Sequence, residues 1–240
     1  ASLSLLTRGM NMKAVIVVCG LLMLGGCATG GQSNPPWMAM GGSCTKLTGD
    51  QELSLNLADD MAKEGKLHAS LANLQNLPEK SAQVQLRKAR IYRQLGRDEA
   101  GPLYQGLLGS CLAAEGEHGL GQLAAGHGDN AQAITHLERA AQMAPTDAKI
   151  RNDLGVVYLN QRRVDEARFE FLTALELKQD ESPAALNLVT LLIYQDQWKQ
   201  AAELVTRAGL TPEQVSDAQY RAQALKAQAK VASNQVAVVK

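Results

Sequence analysis

Aromatic side chains are scarce in this chain: its 240 residues include two Phe, two Trp and five Tyr. A core with so few rings must be filled mainly by Leu, Ala and Val. Net charge is missing too, because 24 basic and 24 acidic side chains cancel, and the basic residues are interspersed rather than massed. Such a surface lacks the basic stripe that a phosphate backbone demands, so no nucleic-acid partner is expected. The four histidines, His68, His118, His127 and His136, have no HExxH spacing and no ligand partner four residues away, so no metal site is expected. Glu115 and Glu117 read as solvated charges at a helix start. Gly119-Leu120-Gly121 and Gly126-His127-Gly128 look like fragments of phosphate loops, but no strand precedes either. There is no GxSxG and no Cys-His pair with an orienting acid. Neither an enzyme nor a bound cofactor is expected.

What the chain does have is a period. Leu120-Gly121, Leu154-Gly155 and Leu188-Val189 stand 34 residues apart, and each opens the same downstream pattern. The middle copy reads Leu154, Gly155, Tyr158, Ala167, Phe171 and Ala174. The copy before it reads Leu120, Gly121, Ala124, Ala133, Leu137, Ala140 and then Pro145; the copy after it reads Leu188, Val189, Leu192, Ala201, Val205 and Ala208. A 34-residue step with these residue types is the signature of the tetratricopeptide repeat, a helix-turn-helix unit that stacks into a solenoid. Gly155, Ala167 and Ala174 are expected where two helices cross closely, with Tyr158 and Phe171 filling the space the small residues leave.

Two degenerate units precede these, around Leu57, Ala58, Met61, Gly65, Ala69 and Leu74, and around Ala89, Tyr92, Gly96, Ala100 and Tyr104. The turn after each Gly reads as one residue short. Thr211-Pro212-Glu213-Gln214 reads as a helix start with a capping box. The helix it opens carries Val215, Ala218, Ala222, Leu225 and Ala229 as one narrow apolar stripe. The expected fold is therefore all-α: an α-solenoid of about five tetratricopeptide repeats with a C-terminal capping helix. Its segments are an upstream extension and signal at 1–26, a tether at 27–43, two degenerate repeats at 44–113, three regular repeats at 114–211, and the cap and tail at 212–240.

The N-terminus resembles a bacterial lipoprotein signal peptide. Lys13 precedes an apolar run from Ala14 to Leu24 that ends in the lipobox Leu24-Gly25-Gly26-Cys27. The run is about half the ~20 residues a membrane-spanning helix needs, so export and cleavage are expected. The resemblance implies that the Cys27 thiol takes a diacylglycerol and the mature chain starts there, anchored to a lipid membrane. Ala28 is not the Asp that retains such proteins in the inner membrane, which implies the outer membrane, facing the periplasm. Ala1 to Gly9 precede Met10 and Met12 and read as an extension upstream of a start at one of those methionines. Residues 28–42 are rich in Gly, Ser, Asn and Pro and read as a tether; Trp37 and Met38 either dip into the lipid interface or are inert.

Of the four cysteines, Cys19 leaves with the signal and Cys27 is acylated. Cys44 and Cys111 remain, and an even pair in an oxidising compartment is a candidate disulfide, the alternative being two separate buried thiols.

Partners of such an array bind the face lined by the first helix of each repeat. The register places His118 and Gln122 there from the first regular copy, Asn152, Val156, Leu159 and Asn160 from the second, and Leu186, Thr190, Ile193 and Tyr194 from the third. The segment from Pro183 to Gln195 is apolar almost all round and must be covered on both sides. Either the C-terminal helix covers it, or a partner's segment fills the groove with Leu159 and Tyr194 as anchors.

Lipobox, short tether, five repeats and closing helix together resemble the TadD family, the lipoproteins of tight-adherence (Flp) pilus assembly. That resemblance implies an outer-membrane adaptor whose protein partner is the pilus secretin or another assembly component. Type IVa pilotin lipoproteins share the layout, and a general envelope-biogenesis scaffold is the remaining reading.

Overall fold

The computed structural model describes residues 44–178 and 182–238. These all belong to the second of two units, which divide between Pro36 and Trp37. Cys27 and the tether at 27–43 lie outside the described residues. Among the described residues all regular structure is helical: α1 (Gly49–Lys63), α2 (Leu67–Leu74), α3 (Ala82–Gln94), α4 (Ala100–Gly106), α5 (Ala113–Gly126), α6 (Asn130–Met143), α7 (Ala148–Asn160), α8 (Val164–Leu177), α9 (Ser182–Tyr194), α10 (Trp198–Ala208) and α11 (Pro212–Val238). None of these helices is long and apolar enough to cross a membrane. Each odd-numbered helix up to α9 packs on the helix that follows it, giving five hairpins, and each hairpin packs on the next.

One turn, used five times, makes the hairpins. Every first helix ends at a residue with positive φ: Gly65 (77°), Gly96 (66°), Gly128 (79°), Arg162 (59°) and Asp196 (60°). The amide of that residue donates to the carbonyl three back, and the next amide donates to the carbonyl five back, as in Asp129 N to Ala124 O and Arg163 N to Tyr158 O. This left-handed cap satisfies carbonyls the helix end leaves orphaned. Glycine adopts it freely, whereas a side chain there costs about 1–2 kcal/mol. Arg162 and Asp196 carry side chains in that conformation because both hold α11. Arg162 Nη2 donates to Leu225 O (3.3 Å) and Gln228 Oε1 (3.2 Å), and Lys226 Nζ lies 2.6 Å from Asp196 Oδ1.

The turns also align the repeats. Seven residues before each stand Ala58, Ala89, Gly121, Gly155 and Val189, all buried. A Cβ at Gly155 would meet Phe171 Cε1 at 2.6 Å, and one at Gly121 would meet Leu137 Cγ at 2.6 Å, so the close crossing expected from the sequence is present. In the fifth hairpin the pair becomes Val189 and Val205, trading a larger residue on one helix for a smaller one on the other. The degenerate repeats differ from expectation in where they are short. The turn after Gly65 keeps the common form, and the missing residues come from the second helices: α2 has 8 residues and α4 has 7, against 14 in α6 and α8.

Short second helices bury less. The regular repeats and α11 share one continuous apolar cluster from Ala124 to Leu225, while the first two hairpins rest on two smaller ones. A disulfide between Cys44, ahead of α1, and Cys111, between α4 and α5, spans this weaker part, with Cα atoms 5.4 Å apart. At the other end α11 starts at the anticipated capping box: Thr211 N donates to Gln214 Oε1 (2.8 Å) and Gln214 N to Thr211 Oγ1 (3.3 Å). Its stripe is buried at Ala218, Ala222 and Leu225, and it packs along α9.

Two measurements check this packing. Gly155→Ala forces a methyl into the fully buried Phe171 ring and is expected to destabilise by about 1–3 kcal/mol in urea unfolding. Gly126→Ala, with nothing within 4 Å of its Cβ, is expected to stabilise by about 0.5–1 kcal/mol. Cys111→Ser is expected to lower the unfolding free energy by about 4 kcal/mol in the chain-entropy account, and thiol titration of the unfolded oxidised protein to find neither Cys44 nor Cys111 reactive.

Candidate functional site

Four successive first helices build one groove. The ends of α1 and α3, the first turns of α5 and the start of α7 enclose roughly 750 Å³, closed at one side by Leu177 and Lys178 at the end of α8. Six cationic side chains line it, Lys63, Arg87, Arg90, Arg93, Lys149 and Lys178, against three acids, Asp59, Glu115 and Asp147. Two of the acids are already engaged. Arg87 Nη2 lies 2.7 Å from Asp59 Oδ2, and Asp147 Oδ1 caps α7 by accepting from Lys149 N (2.8 Å) and Ile150 N (3.2 Å). The groove is therefore basic. Much of that charge comes from α3, where Arg87, Lys88, Arg90 and Arg93 stand in thirteen residues without an acid. The basic residues are massed at this one place, contrary to the even distribution read from the whole sequence.

Tyr104 reaches this groove from a second helix. It sits on α4, 1 % exposed, and its ring lies against Gly119 of α5 so closely that any Cβ there would overlap ring carbons. Gly119, which looked like part of a phosphate-loop fragment, is the space through which Tyr104 enters the lining. Among the described residues Tyr104 Oη and Arg93 Nε are buried with no hydrogen-bond partner, and both residues line the groove.

A polar ladder runs from the groove toward the C-terminus. His118 Nε2 lies 2.7 Å from Asp153 Oδ2, Gln122 Nε2 donates to the same oxygen (2.7 Å), and Asn152 Nδ2 donates to Asp153 Oδ1 (3.3 Å). Asn187 Nδ2 then donates to Asn152 Oδ1 (2.8 Å), and Arg221 Nη1 donates to Asn187 Oδ1 (3.2 Å). The chain of bonds thus crosses α5, α7, α9 and α11. Burial works to raise the Asp153 carboxyl, but the hydrogen bond and charge of His118, with the Gln122 and Asn152 amides, outweigh it and hold the group below the usual aspartate range. Glu117 is not a solvated charge as its position implied. It is 5 % exposed, and its Oε2 lies 2.5 Å from His136 Nδ1.

The residues expected to line a partner groove separate into two groups. His118 and Gln122 stand in the open groove. Leu159 and Ile193 are buried, and Val156, Leu186 and Tyr194 pack against the cluster that contains Ala218, Ala222 and Leu225 of α11. Thr190 is also buried, its Oγ1 donating to Leu186 O (2.9 Å); Asn152 is in the ladder and Asn160 is exposed. The C-terminal half is thus covered by α11, the first of the two alternatives the sequence allowed, so Leu159 and Tyr194 do not stand open as anchors. The reason is that α9 is apolar on nearly every side: it needs a second cover, and α11 supplies the matching stripe. Among the described residues no cluster of His, Cys, Asp or Glu could hold a metal ion.

Five stacked hairpins with a terminal helix define the class, an α-solenoid repeat protein. The family described as tetratricopeptide repeat matches residues 124–192. A TPR repeat-containing protein of Pseudomonas aeruginosa, PA4299, is 42% identical over 215 residues, covering 88% of this chain and 85% of that protein. The chain belongs to the tetratricopeptide-repeat family. Solved structures of similar fold include PilF of Pseudomonas aeruginosa (TM-score 0.59, 16% identity, covering 75% of this chain and 90% of that one) and MamA of Desulfovibrio magneticus RS-1 (TM-score 0.52, 17% identity, 72% and 99%). Such solenoids present extended surfaces to protein partners.

The depressed Asp153 carboxyl sets an acid limb of stability. A folded-state value below the unfolded one gives stability that is fully present above the unfolded aspartate range, near pH ~4, and lost as pH falls through the folded value. Asp153→Asn is expected to destabilise by about 1.5–3 kcal/mol at pH 7, since it removes an acceptor for His118 and Gln122. It is also expected to flatten the loss below pH ~4, measured by urea unfolding from pH 7 to 3.

Proposed function

We propose that this protein is a lipid-anchored adaptor without catalytic activity, held by acylated Cys27 in the bacterial outer membrane and facing the periplasm. There it binds a component of the Flp (tight-adherence) pilus machine and supports localisation or assembly of the secretin. The observation that carries the reading is an open groove across four successive first helices in a chain whose N-terminus holds the lipobox Leu24-Gly25-Gly26-Cys27. Two or three acyl chains at about 0.8 kcal/mol per buried CH₂ give stable anchoring. Residues 28–42 have the Gly-, Ser-, Asn- and Pro-rich composition of a tether. The Cys44–Cys111 bridge suits an oxidising compartment.

The test is a blot for heat-resistant secretin multimers in outer-membrane fractions of cells with the protein, without it, and with Cys27→Ser. Loss of multimers in both defective strains is expected. Multimers that persist in both would remove the pilus role and leave a general envelope scaffold.

A further inference from the structure

Five residues before the crossing residue of each first helix stands a position that faces the preceding hairpin. Val84, Ile150 and Ala184 are buried there, and a Cβ at Gly116 would meet Leu107 Cβ of the preceding hairpin at 3.0 Å. In α1 the same position is Leu53, which is 69 % exposed. Leu57, next to Ala58, is 48 % exposed, whereas Leu154 and Leu188 at its place in later repeats are buried. Being four apart, Leu53 and Leu57 share one edge of α1, opposite buried Leu55. Among the described residues no hairpin precedes α1 to cover that edge, and the terminal repeats of a solenoid need a cap.

We infer that Trp37–Met40 of the same chain, which lies outside the described residues, covers the Leu53 and Leu57 edge and is the N-terminal cap of the solenoid. The register is the first argument. Met40 stands eighteen residues before Ala58, as Leu71, Leu103, Leu137 and Phe171 stand before the four later crossing residues, and all four of these pack in the apolar clusters. Met40 thus holds the place that an apolar residue of a preceding hairpin holds in every later repeat. Reach is the second argument. From Cys44, tied to Cys111, seven residues back to Trp37 span up to about 23 Å, and Leu57 lies only about 12 Å along α1 from Gly49. Chemistry is the third. Residues 28–43 contain no Asp, Glu, Lys or Arg, and their large apolar side chains gather at Trp37, Met38 and Met40. Two other occupants fit less well. Asp50, Glu52 and Asp60 are exposed around the edge, which works against an anionic lipid surface. Two leucines offer far less than the roughly 800 Å² per partner of a standard interface, which works against a second copy. The inference stands on the repeat register and not on the pilus reading, and it leaves residues 28–36 as the tether, at most about 30 Å long.

The chain has two tryptophans, so Trp198→Phe leaves Trp37 as the single reporter. In the purified full chain Trp37 is expected to emit at shorter wavelength than in urea and to resist acrylamide quenching. Leu53→Ser with Leu57→Ser should restore free quenching while circular dichroism is unchanged. Leu53→Ser should also lower the urea midpoint when Trp37 and Met40 are present and leave it unchanged in Trp37→Ser with Met40→Ser, the non-additivity of residues in contact. Trp37 quenched as freely in the folded chain as in urea overturns the proposal, and so does additivity of the two sets of substitutions. Shielding that appears only with phosphatidylethanolamine–phosphatidylglycerol vesicles overturns it in favour of the lipid interface, and shielding lost on dilution overturns it in favour of a second copy. None of these results bears on the pilus role, which the secretin blot tests separately.

Discussion

Close approach of paired helices at a small residue is the constraint on which the rest of this protein depends. At Gly121 and Gly155 the facing Leu137 and Phe171 occupy the volume a Cβ would need, and where the fifth hairpin carries Val189 its partner shrinks to Val205. A crossing held to one spacing lets successive hairpins stack with their first helices side by side. Only then do residues from α1, α3, α5 and α7 meet in one groove. Gly119 applies the same rule to a different end, since the space it leaves admits the Tyr104 ring from the preceding repeat to the groove lining.

The second requirement is closure. A solenoid has two ends, and its last first-helix must find cover that no further repeat supplies. Here α9 is apolar almost all round, and α11 lies along it. The last two hairpin turns place Arg162 and Asp196 in a conformation glycine prefers, and both use their side chains to hold α11. Backbone strain of about 1–2 kcal/mol at each is offset by contacts that fix the cap's position. Asn152, Asn187 and Arg221 add a satisfied polar ladder across the covered face, where α11 must lie in one register to complete the bonds. The consequence for function is directional: the C-terminal half of the face is sealed and the N-terminal half is left open.

The regular repeats and the cap were legible in the sequence because each rests on local rules, a 34-residue recurrence of small and large residues and a Thr-Pro-Glu-Gln helix start. The degenerate repeats were only half legible. Their turns keep a glycine, but α2 and α4 end early, and a periodic pattern says nothing about a helix that stops. The groove was misplaced for a related reason. Projecting the repeat register treats all first helices as equal, yet which of them stays open depends on where α11 docks, a contact between α9 and residues some thirty positions later. Tyr104 was read as a residue of a degenerate repeat, and nothing local announces that its ring lies against Gly119 of the next one. The basic run from Arg87 to Arg93 was the one visible signal, diluted by a whole-chain balance of zero.

Stability is distributed unevenly, and the unevenness has a mechanical logic. The first two hairpins have short second helices and small apolar clusters, and they also carry Arg93 Nε and Tyr104 Oη unpaired. Each such atom costs about 1–3 kcal/mol when left unsatisfied. The same region is the one bracketed by Cys44 and Cys111, and a loop of that length contributes about 4 kcal/mol by restricting the unfolded chain. A covalent tie of this kind stabilises without filling the groove or pairing its polar atoms. Packing or hydrogen bonds of equal strength would have to be made within the hairpins themselves, whose second helices are short. The bridge therefore ties together the part of the solenoid that has the smallest apolar clusters.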